Sequence, residues 1–205
     1  MPYIKEMFDP ISIEHAKQIC LTPSSTDPDK FITETNFFIE FLIDNKYVTD
    51  TTLVADFGCG VGRVTKRLIE EVGCNITGFD ISAAMLNTAV EYIDNQKFIP
   101  HMYRKNIQYT GDKFDIVIAS FVLQHSEHPE YDIKFIKQQL KENGLFVVVN
   151  EPVRYVPSNI DQNGYIIWND DGISIWHEIE KEFELIGEYK YYTRPDKCLT
   201  VWQNK

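Results

Sequence analysis

No basic run is present in this chain. Its 205 residues carry 20 lysines and arginines against 31 acids, a net charge of −11. Nucleic-acid binders leave a positive footprint on their sequence, so this balance argues against a polynucleotide partner. Long apolar runs are missing as well, and the longest are of strand length, far short of a bilayer span. The opening MPYIKE holds no apolar core of a signal peptide, so a cytoplasmic location with no membrane partner is expected. Cysteine is sparse. Cys20, Cys59, Cys74 and Cys198 fall at no metal-ligand spacing, which suits reduced, mostly buried thiols. The HSEH at residues 125–128 is not the HExxH of zinc peptidases, and no metal is expected. No repeat or low-complexity tract interrupts the chain. At 43% hydrophobic residues it has material for one sizeable core, as a monomer or homodimer.

The most informative stretch is LVADFGCGVGR, residues 53–63, followed by ITGFD at 76–80. An apolar run meets glycines at Gly58, Gly60 and Gly62; a helix pattern follows, then a second apolar run that ends in an acid. This is the opening βαβ unit of a Rossmann-like domain that holds a nucleoside. The dinucleotide fingerprint needs G-x-G-x-x-G/A. Here its last position is Arg63, so the dehydrogenase reading loses the glycine that serves close helix–strand packing.

At these residues the chain resembles the class I S-adenosylmethionine-dependent methyltransferases. DFGCG at 56–60 is similar to their first motif and Asp80 to their second. KFDIVIASFVLQH at 113–125 resembles their fourth-strand motif, and LKENGLFVVV at 140–149 their fifth-strand motif. The order and spacing of all four fit the family. The resemblance implies an α/β Rossmann-like sandwich with a mostly parallel seven-stranded sheet and one antiparallel strand near the C-terminus. Residues 1–48 then form a helical cap, 49–150 the cofactor-binding core, and 151–205 an acceptor-covering segment with a terminal hairpin.

Element by element, a short helix is expected over residues 11–20 and an amphipathic one over 28–45, opened by Asp27 and Pro28. Strands are expected near 52–57, 75–80, 97–103, 115–121 and 145–149. Helices should follow the glycine loop, start at Ser82 with Leu86, Val90 and Ile93 inward, and start at Pro129 with Ile133, Ile136 and Leu140 inward up to Asn143–Gly144. Residues 153–173 read as irregular, with turns at Asn163–Gly164 and Asp171–Gly172. A short helix near 174–183 and strands at 185–192 and 197–203 complete the chain.

Site residues follow from the fold. Ligands of open α/β sheets sit at the carboxyl ends of the strands. Gly58 and Gly60 let backbone pass close to a ligand, and Cys59 between them is small enough not to obstruct it. Asp80, ending strand 2, can accept from both ribose hydroxyls. By resemblance, Arg63 pairs with the methionine carboxylate of the cofactor, Asp56 orients the loop or meets the ammonium, Ile81 and Met85 pack on adenine, and Ser120 lines the pocket. Many members of the family carry an acid after strand 3 for the adenine amino group. Residues 103–106, Tyr-Arg-Lys-Asn, supply none, so that contact stays unassigned.

Methyl transfer needs alignment and exclusion of water, and a base only where the nucleophile carries a proton. His125, after strand 4, is the candidate base. Gln124, Arg154, Trp168 and Glu34 are candidate acceptor contacts, on segments expected to form a lid together. No Asn/Asp-Pro-Pro-Tyr/Phe of adenine-amino methyltransferases and no Pro-Cys of cytosine-C5 enzymes appears. The reading is a methyltransferase using S-adenosylmethionine, yielding S-adenosylhomocysteine, with an oxygen or nitrogen of a small molecule as acceptor. A peptide amine is the alternative, supported by a likeness of residues 60–66 to protein N-terminal methyltransferases. An NAD(P)-dependent oxidoreductase and a non-catalytic cofactor-binding subunit are further ones.

Overall fold

The computed structural model describes residues 8–20, 29–105, 108–160, 162, 166–191 and 198–205. Helices α1 (Ile13–Ile19) and α2 (Lys30–Asp44) precede strand β1 (Leu53–Phe57). Then follow α3 (Arg63–Glu71), β2 (Asn75–Asp80), α4 (Ala83–Ile93), β3 (Phe98–Met102) and β4 (Phe114–Ser120). After a short 3-10 turn (Leu123–His125) come α5 (Pro129–Gln139), β5 (Leu140–Val149), β6 (Val153–Ile160), β7 (Ile166–Ser174), α6 (Ile175–Glu180), β8 (Phe183–Tyr189) and β9 (Leu199–Asn204). Seven strands form one sheet in the order β3-β2-β1-β4-β5-β9-β8. All neighbours are parallel except at β9, which runs antiparallel to both β5 and β8. The chain leaves β1 in one direction to β2 and β3, and in the other to β4. The crevice beyond the ends of β1 and β4 is therefore the switch point where such sheets bind ligands.

Strand alternation builds two cores. Val54, Ile76, Ile116, Ile118, Val147 and Val149 face α2, α3 and α4, with Phe38, Leu42, Leu68 and Ile93 packed on them. Their neighbours Ala55, Phe79, Val117, Ala119, Phe146 and Val148 face the opposite way, toward Ile133 and Ile136 of α5 and Ile175 and Ile179 of α6. The central strands are apolar on both faces over most of their length because both faces are covered. A third, smaller cluster seats Ala16 of α1 against Val61 and Met85.

Helix termini follow local chemistry. Ser82 accepts from the N–H of Met85 and starts α4, as its sequence suggests. Gly73, at φ +80°, closes the turn after α3. The expected cap at Asp27–Pro28 lies outside the described residues, and α2 is described from Lys30.

Three expectations are corrected. Val90 is 48% exposed, and α4 buries Met85, Leu86, Ala89 and Ile93 instead, because α1 covers the flank that carries Met85. Helix α5 stops at Gln139; Leu140 is extended and pairs with Phe114, so the Asn143–Gly144 turn lies within β5, where it displaces the register. The segment read as irregular is a two-stranded antiparallel ladder, β6 with β7, separate from the main sheet. Register shifts beside Val153 and Pro157 spoil its alternation, which hid it from a period-two reading.

Phe146 is fully buried in the second core, its ring centroid 5.3 Å from that of Phe183. Phe146→Ala should cost about 3–5 kcal/mol, read as a lower urea midpoint at unchanged slope.

Candidate active site

The glycine loop joins β1 to α3 at the switch point. Gly58, Gly60 and Gly62 all have positive φ, a region closed to most side chains. A Cβ on Gly58 would lie 2.2 Å from Cγ2 of Val122, and one on Gly60 would lie 2.7 Å from Sγ of Cys20. The loop is thus pressed between the segment after β4 and the end of α1. Gly58 and Cys59 donate their N–H groups to the carbonyl of Phe79, at 2.8 and 3.0 Å. The side chain of Cys59 is buried against the sheet, where a Cβ on Gly78 would lie 2.8 Å from its sulfur. Only its backbone therefore belongs to the loop surface.

Asp80 is the organising acid. One carboxylate oxygen accepts from the N–H of Gly60 and the other from the N–H of Ser82, both at 2.9 Å. Burial pushes its pKa up, against these two hydrogen bonds. Asp56 is buried beneath the loop and accepts from Thr65 Oγ1 at 2.7 Å. Burial raises its pKa to about 6, opposed by the Thr65 hydrogen bond and the charge of Arg63.

Arg63 opens α3 and is buried rather than solvated. It donates to Thr35 Oγ1 of α2 at 2.9 Å and to Ser120 Oγ at the end of β4 at 3.0 Å. Glu34, beside Thr35, is buried as well, and its carbonyl accepts from the Tyr191 hydroxyl at 2.9 Å. The structure therefore brings Asp56, the glycines, Arg63, Asp80 and Ser120 to one edge, with Ile81 half-buried beside them. Met85 is different. It is 2% exposed and packed under α1 with Ala16 and Val61, which corrects the expectation that it lies open to adenine.

Beyond β4 the chain makes a strained exit. Phe121 has φ +56°, unusual for an aromatic residue, and its N–H donates to the Val149 carbonyl at 2.6 Å. The following turn carries Gln124 and His125. The imidazole of His125 packs on the ring of Trp168 from β7, centroids 4.5 Å apart, and Phe8 lies 6.3 Å from both. Burial holds the His125 pKa down at about 4, so the ring is neutral at pH 7. Among the described residues its Nδ1 is buried without a hydrogen-bond partner.

Arg154 of β6 does not stand free. It pairs with Asp171, Nε to Oδ2 at 2.8 Å, and reaches the carbonyl of Glu127. Its hydrogen bonds hold the Asp171 carboxyl below its usual range. Arg154, expected as an acceptor contact, thus has an internal carboxylate partner, and its hydrogen bonds tie the hairpin to the turn after β4. Phe8, Asp9 and Phe121 were not singled out from sequence. Asp9 accepts from Ser82 Oγ at 2.5 Å, so the N-terminal segment lies over the Asp80 corner. No local signal marks Phe8 or Asp9. The only hint at Phe121 is its place directly after a strand that ends at the site. Among the described residues no group of three or more potential metal ligands occurs, and no helix is long and apolar enough to cross a membrane.

These residues fit a nucleoside bearing an amino-acid tail. A Cβ at Gly58 or Gly60 would collide with Val122 or Cys20, so the loop is bare backbone at both positions. The Asp80 oxygens keep lone pairs beyond those used by the two amides. The opening turn of α3 offers positive potential for a carboxylate. A family model described as a methyltransferase domain matches residues 48–187. The chain belongs to the S-adenosylmethionine-dependent methyltransferases, enzymes with this nucleoside as methyl donor. It is 26% identical to N-terminal Xaa-Pro-Lys N-methyltransferase 1-B of Xenopus laevis, over 74% of this chain and 67% of that protein. It is 28% identical to the tRNA U34 carboxymethyltransferase of Campylobacter curvus, over 88% and 69%. The magnesium protoporphyrin IX methyltransferase of Synechocystis, solved with bound S-adenosylhomocysteine, shares the fold with a TM-score of 0.66 at 15% identity, covering 98% of both chains.

Two outcomes are expected. Asp80→Asn should weaken S-adenosylhomocysteine binding about tenfold to a hundredfold in calorimetry, since a hydrogen bond to a charged group is worth roughly 1.5–3 kcal/mol. For His125 the folded-state pKa, about 4, lies below the ordinary 6.5. The unfolded chain therefore binds the proton more readily, and stability is lost as pH falls from about 6.5 toward 4, by on the order of 3 kcal/mol. His125→Leu should flatten that part of the urea-midpoint profile.

Proposed function

We propose that this enzyme methylates an oxygen or nitrogen atom of a small acceptor held against His125 and Trp168, at the edge of the β6–β7 hairpin. One observation carries the reading. Phe8, His125 and Trp168 come from three distant parts of the chain, yet their rings meet beside the turn whose Val122 abuts Gly58. An aromatic and imidazole wall next to the cofactor loop suits a planar or apolar acceptor with one polar atom.

The cofactor residues have distinct roles in this reading. Asp80, fixed by two backbone amides, receives the ribose hydroxyls. Arg63, held at the start of α3 by its hydrogen bonds to Thr35 and Ser120, holds the methionine carboxylate. When bound, the cofactor supplies a methyl group on a sulfonium, a good and neutral leaving group. The protein aligns the acceptor and excludes water. His125 touches the acceptor atom, and Gln124 supports it.

The net charge of −11 favours a small acceptor over a nucleic acid. A second reading, a peptide amine, is supported by the Xenopus relative, whose name states N-methylation of a protein N-terminus. A screen of small oxygen and nitrogen acceptors, with a Xaa-Pro-Lys peptide alongside and S-adenosylhomocysteine release as readout, separates the two. Turnover of the peptide alone would replace the small-acceptor reading. With the acceptor found, His125→Ala should lower kcat/KM about a hundredfold; a full-rate variant would remove His125 from the site.

A further inference from the structure

The surroundings of Gln124 determine where the proton on His125 resides. The N–H of Glu151 donates to Gln124 Oε1 at 2.8 Å. A backbone N–H can only donate, so this side-chain atom is the amide oxygen and the other is the NH2 group. That NH2 lies 3.1 Å from Nε2 of His125. It has no lone pair to offer, so Nε2 accepts. A neutral imidazole carries one proton, which must then sit on Nδ1. Gln124 is itself held: its N–H donates to Asn150 Oδ1 at 3.1 Å, and Asn150 Nδ2 donates to the Glu151 carbonyl at 2.7 Å. Gln124 and Asn150 are both buried. The result is a closed set of hydrogen bonds at the end of β5, with one donor, Nδ1–H of His125, buried and unsatisfied.

We propose that Gln124 is a positioning residue that fixes His125 as the Nδ1–H tautomer, and that this N–H receives an acceptor whose reacting atom is an oxyanion: a carboxylate, phenolate or enolate oxygen. This rests on the reading of the Phe8–His125–Trp168 wall as the acceptor site. In this tautomer His125 has no free lone pair with which to take a proton, in contrast to the base that the sequence suggested. The acceptor therefore arrives already deprotonated. A neutral amine has a single lone pair, which attack on the methyl group consumes, so a facing N–H gives it nothing. An oxyanion has further lone pairs, one to attack and another to accept from Nδ1–H. The oxygen forms the O–C bond, the C–S bond breaks with its electron pair staying on sulfur, and the oxyanion and sulfonium charges cancel. No proton moves. Because the charge on oxygen fades as the bond forms, the N–H favours the bound acceptor over the transition state. Its loss is read in KM rather than in kcat.

Long-range proton–nitrogen NMR spectra of the full chain, labelled at histidine and saturated with S-adenosylhomocysteine, test the tautomer directly. Wild type should show His125 protonated on Nδ1. Gln124→Glu replaces the donating NH2 by a carboxylate oxygen and should move the proton to Nε2; Gln124→Leu, should the first variant not fold, should give a mixture. A wild-type His125 protonated on Nε2 overturns the proposal. Benzoate and benzylamine then serve as matched probes. Benzoate should shift the Nδ1–H resonance of wild type but not of Gln124→Glu, and benzylamine should leave it in place. A shift with benzylamine alone, or with neither probe, overturns the oxyanion assignment. Failure of the acceptor-site reading shows elsewhere, as an undiminished kcat/KM of His125→Ala, and leaves the measured tautomer standing.

Discussion

Asp80 is a carboxylate that accepts from two backbone amides on opposite sides of it. The Gly60 amide belongs to the loop after β1, and the Ser82 amide opens α4. Fixing one side chain thus fixes the path of two segments, which also pack through Val61 and Met85. The loop is also pinned by the Phe79 carbonyl, one residue earlier in the same strand. The end of β2 therefore holds the whole cradle, and β2 in turn is held in register by β1 and β3. Burial works against the charge of Asp80, and the amides offset part of that cost. A loop with three residues at positive φ would otherwise have many conformations available. Asp80 reduces them to one.

Arg63 acts as a second tie. Its guanidinium reaches a hydroxyl on α2 and another on β4, across the top of β1. It carries the electrostatic counterweight to Asp56 beneath the loop. The cap helix is thereby attached to the cofactor edge through polar contacts as well as through Phe38 and Leu42. The post-β4 turn depends on a different set of bonds, from Asn150, Glu151 and Gln124, that never touches the glycine loop. The glycine loop and the turn after β4 thus rest on separate hydrogen-bond systems, joined where Val122 meets Gly58.

The cofactor side was legible in the sequence because its requirements are local. Glycines at Gly58, Gly60 and Gly62, and an acid at the end of the next apolar run, are set by backbone geometry that any such chain must satisfy. The proposed acceptor side was less so. Trp168 and His125 could be named as candidates, but their contact depends on a hairpin whose bulges erase the alternating pattern. Phe8 and Asp9 carry no local signal, since their place is decided by long-range packing alone. Met85 and Val90 failed for one reason: the flank of α4 that is buried is chosen by α1, which no periodicity within α4 can reveal. The pairing of Arg154, a candidate acceptor contact, with Asp171 is hidden in the sequence because the two meet only across the hairpin.

The hairpin formed by β6 and β7 shares no ladder with the seven-stranded sheet. It is anchored at its base, where the Ile175 amide bonds to the Pro152 carbonyl, and by Arg154 to the turn after β4. Residues inserted or removed along its two strands shift nothing in the registers that place Asp80 or Ser120. On the acceptor site proposed above, the same scaffold can therefore exchange one acceptor for another by rewriting a single ribbon, with its donor chemistry kept intact.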